Sequence, residues 1–317
     1  MNKSLRAPLL IAIVFVVAVS GCAIPERQPE PAGRVAEYHE TPENIKIASW
    51  NIENFGSTKA SDETRMRAIA DILKDYDIIA VQEISNIREM SDPGCPRNED
   101  ACPGHPMCDR IRNALEHYLN EEQGRRYALV FSPQIKDERY LFIYDTETVY
   151  LEDFALVDDP GDGLPICAEQ PESTGLMVRQ PFKATFQVGD FDFVLLTAHT
   201  RPSMNLVELE GLEFFYQETA MAGEPDVIIL GDLNADCRYL RASDEVSLRG
   251  PDYIWVVDDD SDTTVSTGTD CAYDRFIFKS PTSEDFTGNW GICTDIADNM
   301  SDHYLIWAEF WTTEDTD

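Results

Sequence analysis

Polar residues suited to catalysis directly follow a run of aliphatic residues in the segment "VIILGDLNADC", residues 227–237. The aliphatic run predicts a buried strand, and Asp232 and Asn234 stand at its end. An unpaired carboxylate is costly to bury, so Asp232 requires a partner that neutralises its charge. A metal ion is the first candidate for that partner.

Five more apolar runs carry polar residues at one end. These are Asn51 in "IKIASWN", Glu83 in "DIIAVQE", His199 in "FVLLTAH", Asp274 in "YDRFIF", and Asp302 with His303 in "SDHYLIWAEF". The last two runs begin with their polar residues, whereas the others end with them. If those two strands run antiparallel to the rest, all of these side chains meet along one rim of mixed sheets.

Three of these residues offer the oxygen ligands that a hard divalent cation prefers. Mg²⁺ is held by one or two carboxylates, keeps several waters and usually shares its site with a phosphate. Glu83 and Asp302, with the amide of Asn51, therefore form the predicted site for Mg²⁺ or Mn²⁺. An isolated acid more often caps a helix or a turn, so the prediction depends on the joint placement of the three residues.

His199 and His303 are two of only five histidines in the chain, and both stand at strand ends. Histidine has an ordinary pKa that suits proton transfer near neutral pH, and a carboxylate partner orients the ring and supports its cationic form. Glu138 and Asp274 are the available partners. Two histidines with two acids beside a metal predict metal-assisted hydrolysis of a phosphoester. The other three histidines are interpreted as structural.

Apolar residues at helical spacing predict two helices between the strands. No further linker interrupts residues 45–317, which predicts one large α/β domain with a layered core. The two helical packing faces consist of Met66, Ile69, Ile72 and Leu73, and of Leu206, Leu209, Leu212 and Tyr216.

The N-terminal segment "MNKSLRAPLLIAIVFVVAVSGC" has a basic start and an apolar stretch of signal-peptide length. Its end, "VSGC", resembles a bacterial lipoprotein signal over residues 1–21, with Cys22 as the lipidated first residue of the exported chain. The alternative is a transmembrane anchor, for which the apolar run is short. Residues 22–44 are rich in Pro and Glu and predict a flexible tether. We expect a membrane-anchored periplasmic or cell-surface protein, and Ala23 favours the outer membrane.

The chain is strongly acidic, with a formal net charge of −34. Such a surface repels polyanions at long range, but salt screens exposed charges beyond about 8 Å. The charge therefore disfavours nucleic-acid binding without excluding a local contact surface. Solubility in a salty medium is the simpler explanation of the charge.

Seven cysteines remain when Cys22 is set aside. In an exported protein most are expected to form disulfides, and the odd number leaves at least one that is free, bound to another group or paired between chains. A segment at residues 91–109 also has the ligand types of a zinc site, but disulfides, with Cys167 or Cys293 as further partners, are preferred. The potential zinc ligands are Cys95, Cys102, His105 and Cys108.

A family resemblance extends from Ile45 to the end of the chain. The motifs "ASWNIENFG", "DIIAVQEI", "KDERYLFIY", "VRQP", "LLTAHT", "ILGDLNADC", "SDTTVSTGTDCAYDR" and "SDHY" occur in this order. The sequence resembles the deoxyribonuclease I branch of the endonuclease/exonuclease/phosphatase superfamily, with "ERYLF", "NADC" and "CAYDR" as the more specific motifs. The resemblance implies a four-layered α/β (α+β) sandwich, in which two mostly antiparallel mixed sheets pack together and helices flank them.

The resemblance also assigns roles to the rim residues. It implies that Glu83 is the main metal ligand, assisted by Asn51 and Asp302. It pairs His199 with Glu138 and His303 with Asp274, and it makes the first histidine the acid that protonates the leaving oxygen and the second the base that activates water. Asp232 and Asn234 would orient the phosphate or the attacking water, and Arg179 would contact a phosphate.

Two structural features are also implied by the resemblance. Cys237 matches one half of a family disulfide whose other half is Cys271, which would stabilise the fold. A structural calcium site is implied at Asp262, Thr264 and either Thr267 or Thr269, although Thr and Asp are also common in ordinary polar loops.

The sequence departs from the family at three positions. Ser85 and Lys136 stand where the family has a minor-groove arginine and tyrosine, and Glu53 replaces an arginine. These changes are expected to weaken duplex binding, because phosphate neutralisation supplies much of the affinity for DNA. We expect a metal-dependent endonuclease with DNA as substrate. The alternatives are a phosphodiesterase acting on phospholipid head groups or other small phosphoesters, and a non-catalytic binding lipoprotein, against which the complete catalytic set argues.

Overall fold

The computed structural model describes residues 41–85, 106–136, 138–159, 175–297 and 299–313, with the side chains of residues 106–109 left out. These residues belong to one unit, His39–Asp317. The predicted signal, its lipidation site and most of the tether lie outside the described residues. The same holds for Cys95, Cys102, His105, Cys167 and the side chain of Cys108.

Twelve strands in this part of the chain form two six-stranded sheets. The first sheet has the order β11-β12-β1-β2-β4-β3. Its strands are β1 (Asn44–Phe55), β2 (Ile78–Ser85), β3 (Tyr127–Phe131), β4 (Glu138–Asp145), β11 (Phe286–Cys293) and β12 (Leu305–Trp311).

The second sheet has the order β5-β6-β7-β8-β10-β9. Its strands are β5 (Tyr150–Leu156), β6 (Phe182–Val188), β7 (Phe191–His199), β8 (Val227–Asp232), β9 (Ile254–Trp255) and β10 (Asp274–Phe278).

Helices cover the outer face of each sheet. They are α1 (Ser57–Ala60), α2 (Glu63–Leu73), α3 (Pro106–Leu115) with a π-helical continuation (Glu116–Glu122), α4 (Asn205–Met221), the 3₁₀ turn Ser247–Arg249 and α5 (Thr282–Asp285). None of the described helices is both long and apolar enough to cross a bilayer.

Three groups of buried side chains hold these layers together. One group contains residues of both sheets, such as Ile47 and Phe276, and lies between them. A second joins the first sheet to α2 and α3, and a third joins the second sheet to α4. The expected four-layered sandwich with two mostly antiparallel mixed sheets is therefore confirmed, since hydrophobic burial on both faces of each sheet specifies this layering.

The two predicted helical faces pack as expected with one exception. Met66, Ile69 and Leu73 of α2 are fully buried against the first sheet, and Ile72 packs beside them. On α4, residues Leu209, Leu212 and Tyr216 are buried, but Leu206 is 42 % exposed, so its assignment to the packing face was wrong. It lies in the first turn of α4, on the side that faces away from the sheet.

The strand directions bring the polar ends to one rim. Strand β1 pairs with β2 in parallel and with β12 in the antiparallel sense, and β8 pairs with β7 in parallel and with β10 in the antiparallel sense. The two runs that begin with polar residues therefore run opposite to their neighbours. This geometry places the polar residues of all six runs at the same edge of the sandwich.

Candidate active site

Asn51 and Glu83 lie at irregularities inside their strands rather than at the strand ends, which corrects the sequence-based placement. The β1–β2 pairing changes register between Asn51 and Phe55, and the β2–β4 pairing changes register between Val81 and Ile84. Glu83 also has a φ of +58°. Bulges of this kind redirect a side chain next to an active site.

Asn51 links the two sheets at the rim. Its Nδ2 atom donates hydrogen bonds to Glu83 Oε1 at 3.0 Å and to Asp232 Oδ2 at 3.1 Å. The other carboxylate oxygen of Glu83 accepts from the backbone N–H of Asn54 at 3.0 Å. Asn51 Oδ1 is buried and has no hydrogen-bond partner among the described residues.

An unpartnered amide oxygen next to a carboxylate fits a hard divalent cation, because buried polar atoms ordinarily have partners and Mg²⁺ prefers oxygen ligands. Asp302 lies at the same rim, with Oδ1 4.0 Å from His303 Nε2 and a side chain that is 60 % exposed. Burial lowers the pKa of Lys59, while the carboxylates of Glu53, Asp302 and Glu83 oppose that shift. The unpartnered oxygen of Asn51 and the adjacent carboxylate of Glu83 therefore fit the implied cation.

His199, at the end of β7, is held by a buried acid and by backbone contacts. Its Nδ1 atom lies 3.0 Å from Glu138 Oε2, and its backbone N–H donates to the hydroxyl of Tyr140 at 2.9 Å. Burial alone would lower the pKa of His199, but Glu138 and Asp232 together outweigh burial and raise the pKa to about 9. The ring is therefore cationic in the resting protein at neutral pH.

His303 forms the equivalent pair on the other side of the rim. Its Nδ1 atom lies 2.7 Å from Asp274 Oδ2, and its backbone N–H donates to Ser301 Oγ at 3.0 Å. Burial again opposes the charge, yet Asp274 and Asp232 raise the pKa of His303 well above its ordinary value. Thr263 Oγ1 accepts from the backbone N–H of Asp274 at 3.2 Å and helps to fix this acid.

Asp232 is the point at which the two histidines converge. The Nε2 atoms of His199 and His303 each lie 3.5 Å from Asp232 Oδ2. Burial raises the pKa of Asp232, but His303 and His199 outweigh burial, so the net shift is downward. Asn234 lies beside it, donating its backbone N–H to Asp232 Oδ1 at 3.0 Å and its side-chain amide to the carbonyl of Thr200 at 3.0 Å.

Asp232, Asp274 and His303 also place one potential ligand atom each within 4.8 Å of one another. This set is a poorer cation site than Asn51 with Glu83, because His303 Nδ1 is already bound to Asp274 at 2.7 Å. The carboxylate of Asp274 is therefore engaged in orienting the ring.

Arg179 completes the rim beside the first histidine pair. Its Nε atom lies 2.6 Å from Glu138 Oε1, and Nη1 donates to the carbonyl of His199 at 3.3 Å. Glu138 therefore contacts both an arginine and a histidine, and these two cations compensate its negative charge.

A disulfide joins Cys237 and Cys271, 34 residues apart, which is the pairing that the resemblance implies. Within the described residues Cys293 is free and half-buried. The disulfide connects the loop after Asn234 with the loop before Asp274, so it braces two parts of the rim.

The residues of the expected calcium loop also lie together. Asp262 Oδ1 accepts from the hydroxyl of Thr264 at 2.7 Å, and the hydroxyls of Thr264 and Thr269 are 2.9 Å apart. Thr264 forms a bridge with His303, so this loop supports the rim directly. Thr269, rather than Thr267, is the threonine that joins the group.

The three departures from the family pattern have clear positions. Ser85 pairs with Glu138 across β2 and β4, and Lys136, with a φ of +59°, lies in the turn before β4. Glu53 follows Asn51 in β1, and its carbonyl accepts a hydrogen bond from Lys59. All three therefore lie next to residues of the rim.

Sequence patterns missed several polar residues that support the site. Gln82 donates to Ser49 Oγ at 3.1 Å and to Thr197 Oγ1 at 2.9 Å, and so joins the sheets behind the rim. Polar residues inside otherwise apolar runs were the available signal for Gln82 and Tyr140. Glu208 on α4 gave no such signal, because an acid on a helix is usually exposed.

Two facing mixed sheets with two acid-paired histidines at one rim are the architecture of a hydrolytic phosphodiesterase. The sequence profile of the Endonuclease/Exonuclease/phosphatase family matches residues 48–303. The chain belongs to this family and is a deoxyribonuclease I-like member of it.

Individual relatives agree with this assignment. The chain is 31 % identical to Deoxyribonuclease-1 of Homo sapiens and 29 % identical to that of Oryctolagus cuniculus, and each comparison covers 83 % of this chain and 91 % of the relative. The fold is similar to that of truncated Caenorhabditis elegans TDP2, with a TM-score of 0.55 at 14 % identity over 84 % of this chain and 97 % of that one. The human Nocturnin catalytic domain gives a TM-score of 0.54 at 14 % identity, over 86 % and 94 %.

Proposed function

We propose that this protein is a divalent-metal-dependent endonuclease that hydrolyses phosphodiester bonds of DNA. The observation that carries the proposal is the convergence of two acid-paired histidines on Asp232 Oδ2, each at 3.5 Å, beside the unpartnered amide oxygen of Asn51. The sequence similarity to deoxyribonucleases supports DNA as the substrate.

In the proposed reaction the two histidines act on opposite sides of one phosphate. His303 accepts a proton from water at Nε2, the water oxygen attacks phosphorus, and the bond to the leaving oxygen breaks. His199 donates its Nε2 proton to that oxygen, which balances the proton taken by His303. The Nδ1 contacts to Asp274 and Glu138 hold each ring in the required orientation.

The phosphate is proposed to be held by the groups around Asp232. Asn234 orients the phosphate or the attacking water, and Arg179 binds a phosphate oxygen, as a guanidinium suits. Glu83, Asn51 and Asp302 would hold Mg²⁺ or Mn²⁺, which would withdraw charge from a phosphate oxygen. Asp262, Thr264 and Thr269 are proposed to hold a structural Ca²⁺ that stabilises the loop bridged to His303.

The raised pKa of His303 has a consequence for pH dependence. A base must be neutral before it accepts a proton, and the acids around His303 favour its charged form. We expect kcat/KM to rise with pH as His303 loses its proton, and to fall when His199 loses the proton it must donate. A rate measured against pH should therefore pass through a maximum.

The test is nicking of supercoiled plasmid by a shortened protein that begins near Arg34, with Mg²⁺ and Ca²⁺ present. EDTA and the substitution His199→Ala should each abolish nicking, whereas His117→Ala, at an exposed histidine away from the rim, should not. Intact plasmid after incubation with folded wild-type protein and metal would refute the DNA assignment.

A second candidate function is hydrolysis of phospholipid head groups or other small phosphoesters by the same site. The net charge of −34 favours it, because a strongly acidic surface repels a polyanion at long range. Hydrolysis of phospholipid vesicles by a protein that leaves plasmid intact would support this candidate.

We also propose that the chain is an exported bacterial lipoprotein with Cys22 as its lipidated residue and the outer membrane as its location. The N-terminal sequence is the support for this proposal. Membrane fractionation tests it: Cys22→Ser should release the protein from the outer-membrane fraction, and unchanged membrane association would contradict it.

A further inference from the structure

Glu208 is a buried carboxylate on the inner side of α4, with 1 % of its surface exposed. Its Oε1 atom accepts from the backbone N–H of Val178 at 2.6 Å, and Oε2 accepts from the backbone N–H of Arg201 at 2.5 Å. Burial raises the pKa of Glu208, and these two N–H groups together with the charges of Arg179 and His199 oppose that shift. Burial of this carboxylate is therefore energetically unfavourable, and hydrogen bonds from two backbone N–H groups offset that cost.

The two donors belong to different segments of the rim. Val178 immediately precedes Arg179, in the segment that enters β6, whereas Arg201 follows His199 by two residues in the loop after β7. One carboxylate thus joins the backbone beside the proposed phosphate-binding arginine to the backbone beside a proposed catalytic histidine.

A second acid, Asp159, also holds the arginine segment. Asp159 accepts from the backbone N–H groups of Leu176 and Met177 at 2.9 Å and 2.8 Å. Three consecutive amides before Arg179 are therefore bound by buried carboxylates, and Glu208 is the one of the two that also binds the loop after His199. Asp159 provides a comparison that separates anchoring of the segment from its coupling to the histidine loop.

We infer that Glu208 is a positioning residue, whose carboxylate clamps the Arg179 segment to the loop after His199 so that Arg179 and His199 meet Glu138 in one fixed arrangement. This inference rests on the proposed function, in which Arg179 binds a substrate phosphate. The 2.6 Å contact of Arg179 with Glu138 and the 3.3 Å contact of Arg179 with the His199 carbonyl are the geometry that the clamp maintains.

The substitution Glu208→Gln is the sharpest test, because it keeps the shape of the side chain. Glutamine has one acceptor oxygen, so its amide NH₂ must face one of the two backbone N–H groups. We expect amide hydrogen exchange at Val178 and Arg201 to become faster, measured by mass spectrometry or NMR on the whole protein. Asp159→Asn should accelerate exchange at Leu176 and Met177 but not at Arg201, and Glu218→Gln, at an exposed acid of α4, should change none of these amides.

The functional measurement is a double-mutant cycle with Arg179→Ala, using plasmid nicking kinetics. Glu208→Gln alone should lower kcat/KM by about 10-fold or more, mainly through KM, because a small displacement of a positioned group is costly. In the Arg179→Ala background the same substitution should have an effect of about 2-fold or less, since the residue through which it acts is gone. If Glu208 had only a structural role, Glu208→Gln would lower kcat/KM by the same factor in both backgrounds.

Unchanged exchange at Val178 and Arg201, or an equal loss of kcat/KM in both backgrounds, would overturn the inference. If Glu208→Gln does not fold, Glu208→Asp, which keeps the charge but is one methylene shorter, replaces it in both measurements. A wild-type protein that nicks no plasmid would refute the proposed function alone, and the exchange measurement would then decide whether the clamp exists.

Discussion

The charge state of His199 makes the stability of the metal-free protein depend on pH. Glu138 and Asp232 together outweigh burial and raise the pKa of His199 from 6.5 to about 9. A pKa that is higher in the folded state means that folding favours the protonated ring. The resulting stabilisation is fully present below the unfolded pKa of 6.5 and is lost as the pH rises through about 9.

The size of this effect follows from the shift. One pKa unit corresponds to about 1.4 kcal/mol, so His199 contributes about 3 kcal/mol to the free energy of unfolding at low pH. The ring is almost completely buried, so water screens its interaction with Glu138 little. The raised pKa of His303 makes stability depend on pH in the same direction. The measurement must therefore compare wild-type protein with a variant that lacks only His199.

The assay is urea unfolding in EDTA at about pH 6 and about pH 10, with wild-type protein and His199→Gln. Wild-type protein should lose about 3 kcal/mol more than the variant between the two pH values. His117→Gln, at an exposed histidine paired with Glu121, should behave like wild type because solvent screens that pair. If wild type and His199→Gln lost the same free energy of unfolding between the two pH values, the electrostatic stabilisation of His199 by Glu138 would be refuted.

Three further predictions concern the support of the rim. Reduction of the Cys237–Cys271 disulfide, which closes a loop of 34 residues, should lower the free energy of unfolding by about 4 kcal/mol, and unchanged urea unfolding in reductant would contradict this. Gly231→Ala should lower the free energy of unfolding by about 3 kcal/mol or more, because an added Cβ would overlap the carbonyl of Ala198. Gly223→Ala, also at positive φ but with open space around it, should lower the free energy of unfolding less. Equal losses of stability for the two variants in thermal unfolding would exclude the overlap as the cause. Asn51→Asp should lower the free energy of unfolding in EDTA by about 2 kcal/mol or more, because it removes two hydrogen bonds and adds a negative charge beside Glu83 and Asp232. Mg²⁺ should restore part of the lost stability. An unfolding temperature in EDTA equal to that of wild type would argue against the hydrogen bonds from Asn51 to Glu83 and Asp232.

The rim was predictable from sequence because its strands are short apolar runs with polar ends. Such runs specify buried strands, and the parallel and antiparallel pairing then brings Asp232, His199 and His303 together. Six of the twelve described strands, β3, β4, β5, β6, β9 and β11, were not predicted as strands. Among them, the edge strands β5 and β11 are partly exposed and mix polar with apolar residues, which leaves no clear period.

Other features depend on tertiary contacts that leave no local pattern. The bulges at Asn51 and Glu83 arise from a register shift between strands, so the sequence of either strand alone does not contain them. Glu208 lies on the buried face of α4 with Leu212 and Phe215, where an acid is not expected, and the amides of Val178 and Arg201 explain how its carboxylate is accommodated there. In the loop proposed to hold calcium, one inserted residue left two threonines as candidates, and the structure places Thr269, not Thr267, in contact with Thr264.

The distribution of charge at the rim reconciles an acidic protein with an anionic substrate. Each acid in the histidine pairs has a cationic neighbour, so Glu138 faces Arg179 and His199, and Asp274 faces His303. Asp232 has a lowered pKa because both histidines outweigh its burial, so the acids here stabilise cations instead of leaving free negative charge. The long-range repulsion from a net charge of −34 is screened beyond about 8 Å in salt, whereas these buried cations act at contact distance. A phosphate that reaches the rim can therefore contact the cationic groups of His199, His303 and Arg179 directly, while the net charge of the chain opposes its approach from a distance.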